Sequence, residues 1–256
     1  MKYAVITYNF NNYEIMRDIP DCALDPDIEY LYITDDTSLK SKNWKIIIDH
    51  DLDDLSPFDK CYSVRFNLFK YTDAEYVMYI DGSIQILQNP KIYFTQFLEN
   101  KCDLSICVHP GRATLFKEYF EWVKSRNYDA IKAYSALFYM QELGYDIRNY
   151  KGLYQGGFRI IKNTDTQKQL DKDCYDILKE LGGETIERLD QTIYSFLLNT
   201  KYKNLKLLPY NDSCIFSNYL NIQGHNQKFS FKKHPKNRPY IKQGYVRNEL
   251  VNLLGI

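Results

Sequence analysis

Asp81 closes the apolar run Tyr76-Val77-Met78-Tyr79-Ile80 and is followed by Gly82, Ser83 and a second apolar stretch, Ile84-Gln85-Ile86. A buried parallel strand that stops on a carboxylate delivers it to the carboxyl edge of a sheet, where open α/β folds place ligands. The plain alternative is a strand that ends in an Asp-Gly turn. A carboxylate so placed could anchor Mg2+ or Mn2+, which favour oxygen ligands, and such an ion would neutralise a departing diphosphate. Ser83 offers a weaker oxygen two residues on. His234, within Lys232-Lys233-His234-Pro235-Lys236, is a candidate third ligand from the far end of the chain, and His225, in Gly224-His225-Asn226, could serve instead. The neighbouring lysines, Lys233 among them, suit charge-assisted contacts to phosphate. They equally suit a solvated basic tail or a membrane-surface patch.

Three further groups could share such a site. Asp190-Gln191 lies at the start of a helical stretch, where an acid commonly decorates the first turn; the same carboxylate could accept the proton of an acceptor hydroxyl or position the acceptor. Gly156-Gly157 would let backbone approach a sugar closely, or simply make a turn. His109 and Arg112 follow a strand end, and an arginine there suits phosphate or an ordinary ion pair.

The elements that must position these residues alternate between strands and helix-length segments. Strands are expected over residues 3–8, 30–34, 44–48, 76–80, 104–108 and 205–209, with another fed by a glycine-bearing loop over 152–157. Helices are expected over 60–71, from Asn89-Pro90 to about Leu98, over 113–125, 129–143 and 166–181, and over 186–198, the last two separated by Gly182-Gly183. This alternation predicts an α/β fold with a largely parallel central sheet flanked by helices. Several strands end on acids or amides, which would gather on one sheet edge. No repeat or linker divides the 256 residues, so one domain is expected, with 1–110 as its ligand-binding half, 111–227 as its acceptor-side half, and 228–256 as a basic tail.

Lysine plus arginine and aspartate plus glutamate each number 33, so the chain is neutral and nothing global points to nucleic acid. Charge is uneven locally: seven Lys or Arg and no acid fall within 228–247, whereas 21–60 is acidic. The six cysteines are scattered without a C-x-x-C pair, and Met1 leads almost at once into a strand, which predicts reduced thiols and a cytoplasmic protein. Peripheral contact with the inner face of a membrane through the tail stays open. The 24 tyrosines and 14 phenylalanines supply flat surface for stacking, or simply core.

Taken in order, these segments resemble a family of GT-A-fold glycosyltransferases associated with polysaccharides in plants and bacteria, distantly similar to glycosyltransferase family eight. Val5-Ile6-Thr7-Tyr8-Asn9-Phe10-Asn11-Asn12-Tyr13-Glu14 resembles its opening T-x-x-F-G-x-Y-D, and Tyr79-Ile80-Asp81-Gly82-Ser83-Ile84 its W-x-D-G/A-x-I strand. Ile33-Thr34-Asp35-Asp36 with Trp44-Lys45-Ile46, His109 to Arg112, Gly152 to Gly157, and Asp190-Gln191 follow in the family's order, so the likeness spans about residues 3–198. The resemblance implies a Rossmann-like GT-A fold and transfer of a hexose from a UDP-sugar to a glycan or lipid-linked glycan, assisted by Mn2+ or Mg2+. It implies Thr7 and Tyr8 at the nucleoside and Asp36 near base or ribose. Arg65 would face the diphosphate, Asp81 would hold metal or sugar, and Asp190 would lie under sugar or acceptor. A C-terminal histidine completing the metal site, as in family eight, favours His234. This chain departs from the pattern at Asn11, which replaces the family's glycine, at Glu14, which replaces its aspartate, and at Ser83, where a second carboxylate is usual.

Two other classes fit parts of the same sequence. One is a catalytically silent nucleotide- or sugar-binding partner of a polysaccharide assembly, suggested by Ser83. The other is a metal-dependent phosphohydrolase or nuclease built on strand-end acids, weakened by the lack of a second close acid beside Asp81.

Overall fold

A computed structural model describes residues 2–109, 139–142, 152–181, 189–211 and 219–222. The strands are β1 (Tyr3–Asn9), β2 (Ile28–Thr34), β3 (Lys45–Ile48), β4 (Tyr76–Ile80), β5 (Ile84–Ile86), β6 (Leu104–Val108), β7 (Tyr154–Lys162), β8 (Leu207–Tyr210) and β9 (Leu220–Ile222). Among the described residues, four helices bear on the sheet: α1 (Pro57–Arg65), α2 (Lys91–Glu99), α3 (Asp165–Glu180) and α4 (Leu189–Asn199).

Seven strands form one sheet in the order β3-β2-β1-β4-β7-β6-β8, and β5 pairs with β9 in a small second sheet. All the pairings in the large sheet are parallel except the two made by β7, which runs against β4 and β6. The chain is therefore α/β and Rossmann-like, with a mostly parallel mixed sheet. The expected halves are interleaved in that sheet, because β7 from the second lies between β4 and β6 from the first.

Near-continuous apolar runs suit strands covered on both faces. Alternation along them supplies two cores. Ala4, Ile6, Tyr8, Leu31, Ile33, Val77 and Tyr79 face one layer with Val64 of α1, Leu170 and Cys174 of α3, and Ile193 of α4. Val5, Tyr30, Tyr32, Met78, Ile80 and Phe158 face the other, against Tyr93, Phe94 and Phe97 of α2. Among the described residues, no helix is long and apolar enough to cross a membrane. Cys22, Cys61, Cys102, Cys107 and Cys174 form no disulfide.

Three elements differ from expectation. The helix expected over 60–71 starts earlier and stops sooner. Ser56 caps α1, accepting from the Asp59 amide at 3.1 Å, with Pro57 in the first turn. At its far end Asn67 donates to the Ser63 carbonyl at 2.8 Å, and a separate 3-10 turn follows over Leu68–Lys70. The expected loop through Gly157 is instead the first part of β7, a strand from Tyr154. Beyond 205–209, the last strand expected, the chain contributes a further one, β9. The helices expected over 113–125 and most of 129–143 lie outside the described residues, of which 139–142 are helical.

The chain leaving β1 turns at once. Asn11 and Asn12 have φ of 53° and 51°, and the Tyr13 amide donates to the Phe10 carbonyl at 3.2 Å. Two successive left-handed residues make a tight turn that asparagine and glycine enter most readily. Asn11→Val should cost about 1–2 kcal/mol in urea unfolding, and Asn11→Gly at most a few tenths.

Candidate functional site

β1 is followed on one side by β2 and on the other by β4, so the crevice beyond their carboxyl ends is a topological switch point. Asp81 lies there, one residue past β4. Its amide donates to the Gly157 carbonyl at 2.8 Å, and its own carbonyl accepts from the Ile84 amide at 2.8 Å, turning the chain into β5. Gly82 is required by close approach, since a Cβ there would lie 2.7 Å from the Tyr8 carbonyl oxygen and 3.3 Å from Cγ of Glu14.

Arg65, the last residue of α1, reaches over this edge and joins two carboxylates. Its Nη2 donates to Oδ1 of Asp81 at 2.8 Å, and its Nη1 donates to Oδ2 of Asp190 in the first turn of α4. The Tyr79 hydroxyl, two residues before Asp81 and on the same sheet face, accepts from Nε and Nη2 of Arg65 at 3.2 and 3.1 Å and donates to Oδ1 of Asp81. The Arg65 side chain is 14 % exposed and that of Asp190 4 %, whereas Asp81 keeps 35 % of its side chain open. Asp81 is therefore the member of the cluster that a ligand reaches first.

Burial opposes the charge of Arg65, but the groups around it, the Asp190 and Asp81 carboxylates among them, outweigh it and hold the guanidinium's pKa well above the usual range. Burial pushes the Tyr79 and Tyr8 hydroxyls well above their ordinary values, with Arg65 opposing, so both remain neutral. The nearby Cys61 thiol is pushed up to about 12, chiefly by burial, which leaves it protonated and unreactive at neutral pH.

The glycine pair makes this cluster possible. The β6–β7 register shifts between Ile106, opposite Arg159, and Cys107, opposite Gln155. Gly156 and Gly157 fall in the resulting bulge, a feature often found beside functional sites. A Cβ on Gly156 would stand 3.0 Å from Oδ2 of Asp190 and 3.3 Å from Nη1 of Arg65; one on Gly157 would stand 2.8 Å from Oδ2 of Asp81. The space kept by the two glycines is thus taken by carboxylates of the chain itself. Gly157→Ala should displace Asp81, whose other oxygen is already held. The expected result is a loss of about 1 kcal/mol of stability, measured by urea unfolding against the wild type.

The structure thus brings together Tyr8, Arg65, Asp81, Gly156, Gly157 and Asp190, and the other candidates have other surroundings. Thr7 points to the opposite face of the sheet from Tyr8, because neighbouring strand residues alternate; it is buried, and its Oγ1 has no hydrogen-bond partner among the described residues. Asp36, just past β2, accepts through Oδ1 from the Ser38 amide and hydroxyl, at 2.9 and 2.6 Å. Its neighbour Asp35 turns inward, accepting from the Asn11 amide at 2.9 Å and from Lys60 of α1 at 3.1 Å, and so ties the β1 turn to α1. His109 follows β6 at the same edge, with its amide bonded to the Leu153 carbonyl at 2.8 Å. Arg112, His225, Lys233 and His234 lie outside the described residues.

A divalent ion would have Asp81 and the buried Ser83 as its described donors. Oδ1 of Asp81 already takes bonds from Tyr79 and Arg65, and the guanidinium already neutralises its charge. Among the described residues, no group of three His, Cys, Asp or Glu side chains could hold a metal. These residues by themselves do not fit a divalent ion, and further donors would have to come from outside them. β9 brings the chain toward this edge, with Ile222 opposite Ile84.

Beneath the cluster lie residues that motif reading passed over. Arg159, 2 % exposed, sits in β7 opposite Tyr79; its Nη1 donates to Oδ1 of Asp171 on α3 at 3.0 Å and its Nη2 to the Arg65 carbonyl. The available signal was an arginine inside Phe158-Arg159-Ile160-Ile161, where every neighbour is apolar. For Tyr79 it was the period of two that puts its hydroxyl on the Asp81 face. No family model matches the chain, and neither does any of the curated proteins compared with it.

Proposed function

We propose that this chain is a glycosyltransferase that moves a hexose from a UDP-sugar to a glycan or lipid-linked glycan in polysaccharide biosynthesis. The observation that carries the reading is the meeting at one sheet edge of Arg65, Asp81, Gly156-Gly157 and Asp190, contributed by α1, β4, β7 and α4. Most of these residues belong to the sequence blocks whose order resembles that of the transferase family, and they gather at the switch point where α/β folds bind nucleotides. Asn11 adds support: it replaces the family's glycine, and its φ of 53° is one that glycine adopts freely.

Sugar transfer from a nucleoside diphosphate needs positive charge where the diphosphate departs. Arg65 is a cation held at that edge, and its charge is secure at any working pH. Asp81 presents its carboxylate beside it and is placed to position the donor sugar. Asp190, buried and bonded to Arg65, is better suited to holding the guanidinium than to taking a proton from an acceptor. A metal ion, if donors beyond the described residues complete a site, would add charge stabilisation to the same departing group.

One observation favours a second reading, a silent nucleotide- or sugar-binding protein: Arg65 already occupies both carboxylates. UDP release measured with a panel of UDP-sugars, with and without Mn2+ or Mg2+, separates the readings. Transfer or hydrolysis with any donor supports the enzyme, and UDP binding without turnover supports the silent binder. Release of phosphate rather than UDP would revive the phosphohydrolase, and neither binding nor release would overturn the proposal.

A further inference from the structure

We infer that Arg159 and Asp171 form a buried positioning pair that sets Arg65 in place and acts on the site without touching a ligand. This rests on the reading of Arg65 as the group that faces the departing diphosphate.

Arg65 is the last residue of α1, so its carbonyl is among those a helix leaves without an intrahelical partner. Arg159 supplies that partner through Nη2 while Nη1 holds Asp171 at 3.0 Å. One planar fork thereby fixes the end of α1 to β7 and α3 at once, as a lysine with a single ammonium head would not. A second route runs through Tyr79. The Arg159 and Arg65 guanidiniums lie 5.6 and 5.4 Å from the centre of its ring. Its hydroxyl is bonded to both Arg65 and Asp81. Phe66 and Tyr194 close around Arg159 at 5.2 and 5.1 Å, so its plane cannot tilt freely.

Stability alone is a poor account of this pair. The Arg159 and Asp171 side chains are 2 % and 3 % exposed, and a buried ion pair is commonly no better for folding than apolar side chains of similar volume. What it does supply is a fixed direction for the end of α1, and with it the place of the Arg65 side chain. An ångström of misplacement at a reacting centre is enough to cost about a hundredfold in rate.

The test uses the full chain with Arg159→Met and Asp171→Asn combined, so that neither charge is left buried alone, and Arg159→Lys as a second variant. The expected result is a double variant that melts cooperatively and has a kcat lower by about a hundredfold, with donor KM changed less than about threefold. Arg159→Lys should fall in the same way, and it carries the measurement if the double variant does not fold. A folded variant with wild-type kcat would overturn the inference. An arm free of any donor uses protein labelled with 15N-arginine, in which the Arg65 guanidinium signals are assigned by their loss in Arg65→Lys. Those signals should be resolved in the wild type and merged in the double variant as rotation is released; unchanged signals would overturn the positioning role. If the wild type turns over no UDP-sugar, the transferase reading fails, while the arginine signals still decide this one.

Discussion

Arg65→Met should lower folding stability by about 3–5 kcal/mol, the loss typical when one partner of a buried ion pair is removed. The reason is Asp190 rather than Arg65 itself. With its side chain 4 % exposed, Asp190 would keep a carboxylate where water cannot reach it and lose the guanidinium that neutralises it. The Tyr79 hydroxyl would lose a donor in the same step. The pair with Asp81 adds little to this sum, because that carboxylate is 35 % exposed and solvent can take over. Urea unfolding of Arg65→Met, of Asp190→Leu and of the double variant measures the coupling directly. The double variant should recover most of the loss, since it strands no charge. If Arg65→Met alone unfolds within about 1 kcal/mol of wild type, the carboxylate is not committed to the guanidinium and the site is looser than described.

The layers and the acid at this edge are legible in the sequence because they are local. Apolar runs such as Tyr76 to Ile80 leave little choice but a buried strand, and an acid at the end of one has only the sheet edge to go to. What is hidden depends on pairing between distant segments. Gly156-Gly157 looks like a loop because glycine weakens strands, yet β4 pairs with β7 from Ile80 opposite Phe158 onward, and a bulge absorbs the glycines. β9 escapes notice for the same reason: three residues acquire strand geometry only through Ile84 to Ile86, well over a hundred positions earlier. The expected helix over 60–71 follows correct apolar spacing but cannot foresee that Arg159 will claim the carbonyl of Arg65 and that Asn67 will fold back on Ser63. Choosing Asp36 over Asp35 is a coin-toss in sequence; the structure separates them by what each can reach, Ser38 in one case and Lys60 with Asn11 in the other.

On the transferase reading, Asp81→Asn should differ from Arg65→Met, with activity lost and the fold retained. The amide is close to the carboxylate in size, and its oxygen can still accept from Tyr79 and Arg65, so stability should change by no more than about 1 kcal/mol, the range for exposed pairs. What disappears is the negative charge at the most open point of the cluster. If Asp81 orients the donor sugar, or joins a metal whose other ligands lie beyond the described residues, turnover should fall by about 10²–10³-fold, as when a charge-stabilising group is removed. Asp81→Ala should fall at least as far. The two substitutions also divide the cluster by role. A group that serves only to hold the fold should move melting and activity together, as expected for Asp190, whereas Asp81 should move activity alone. Full activity in Asp81→Asn, with UDP release matching wild type, would remove Asp81 from the chemistry and leave Arg65 the better candidate for what contacts the donor at this edge.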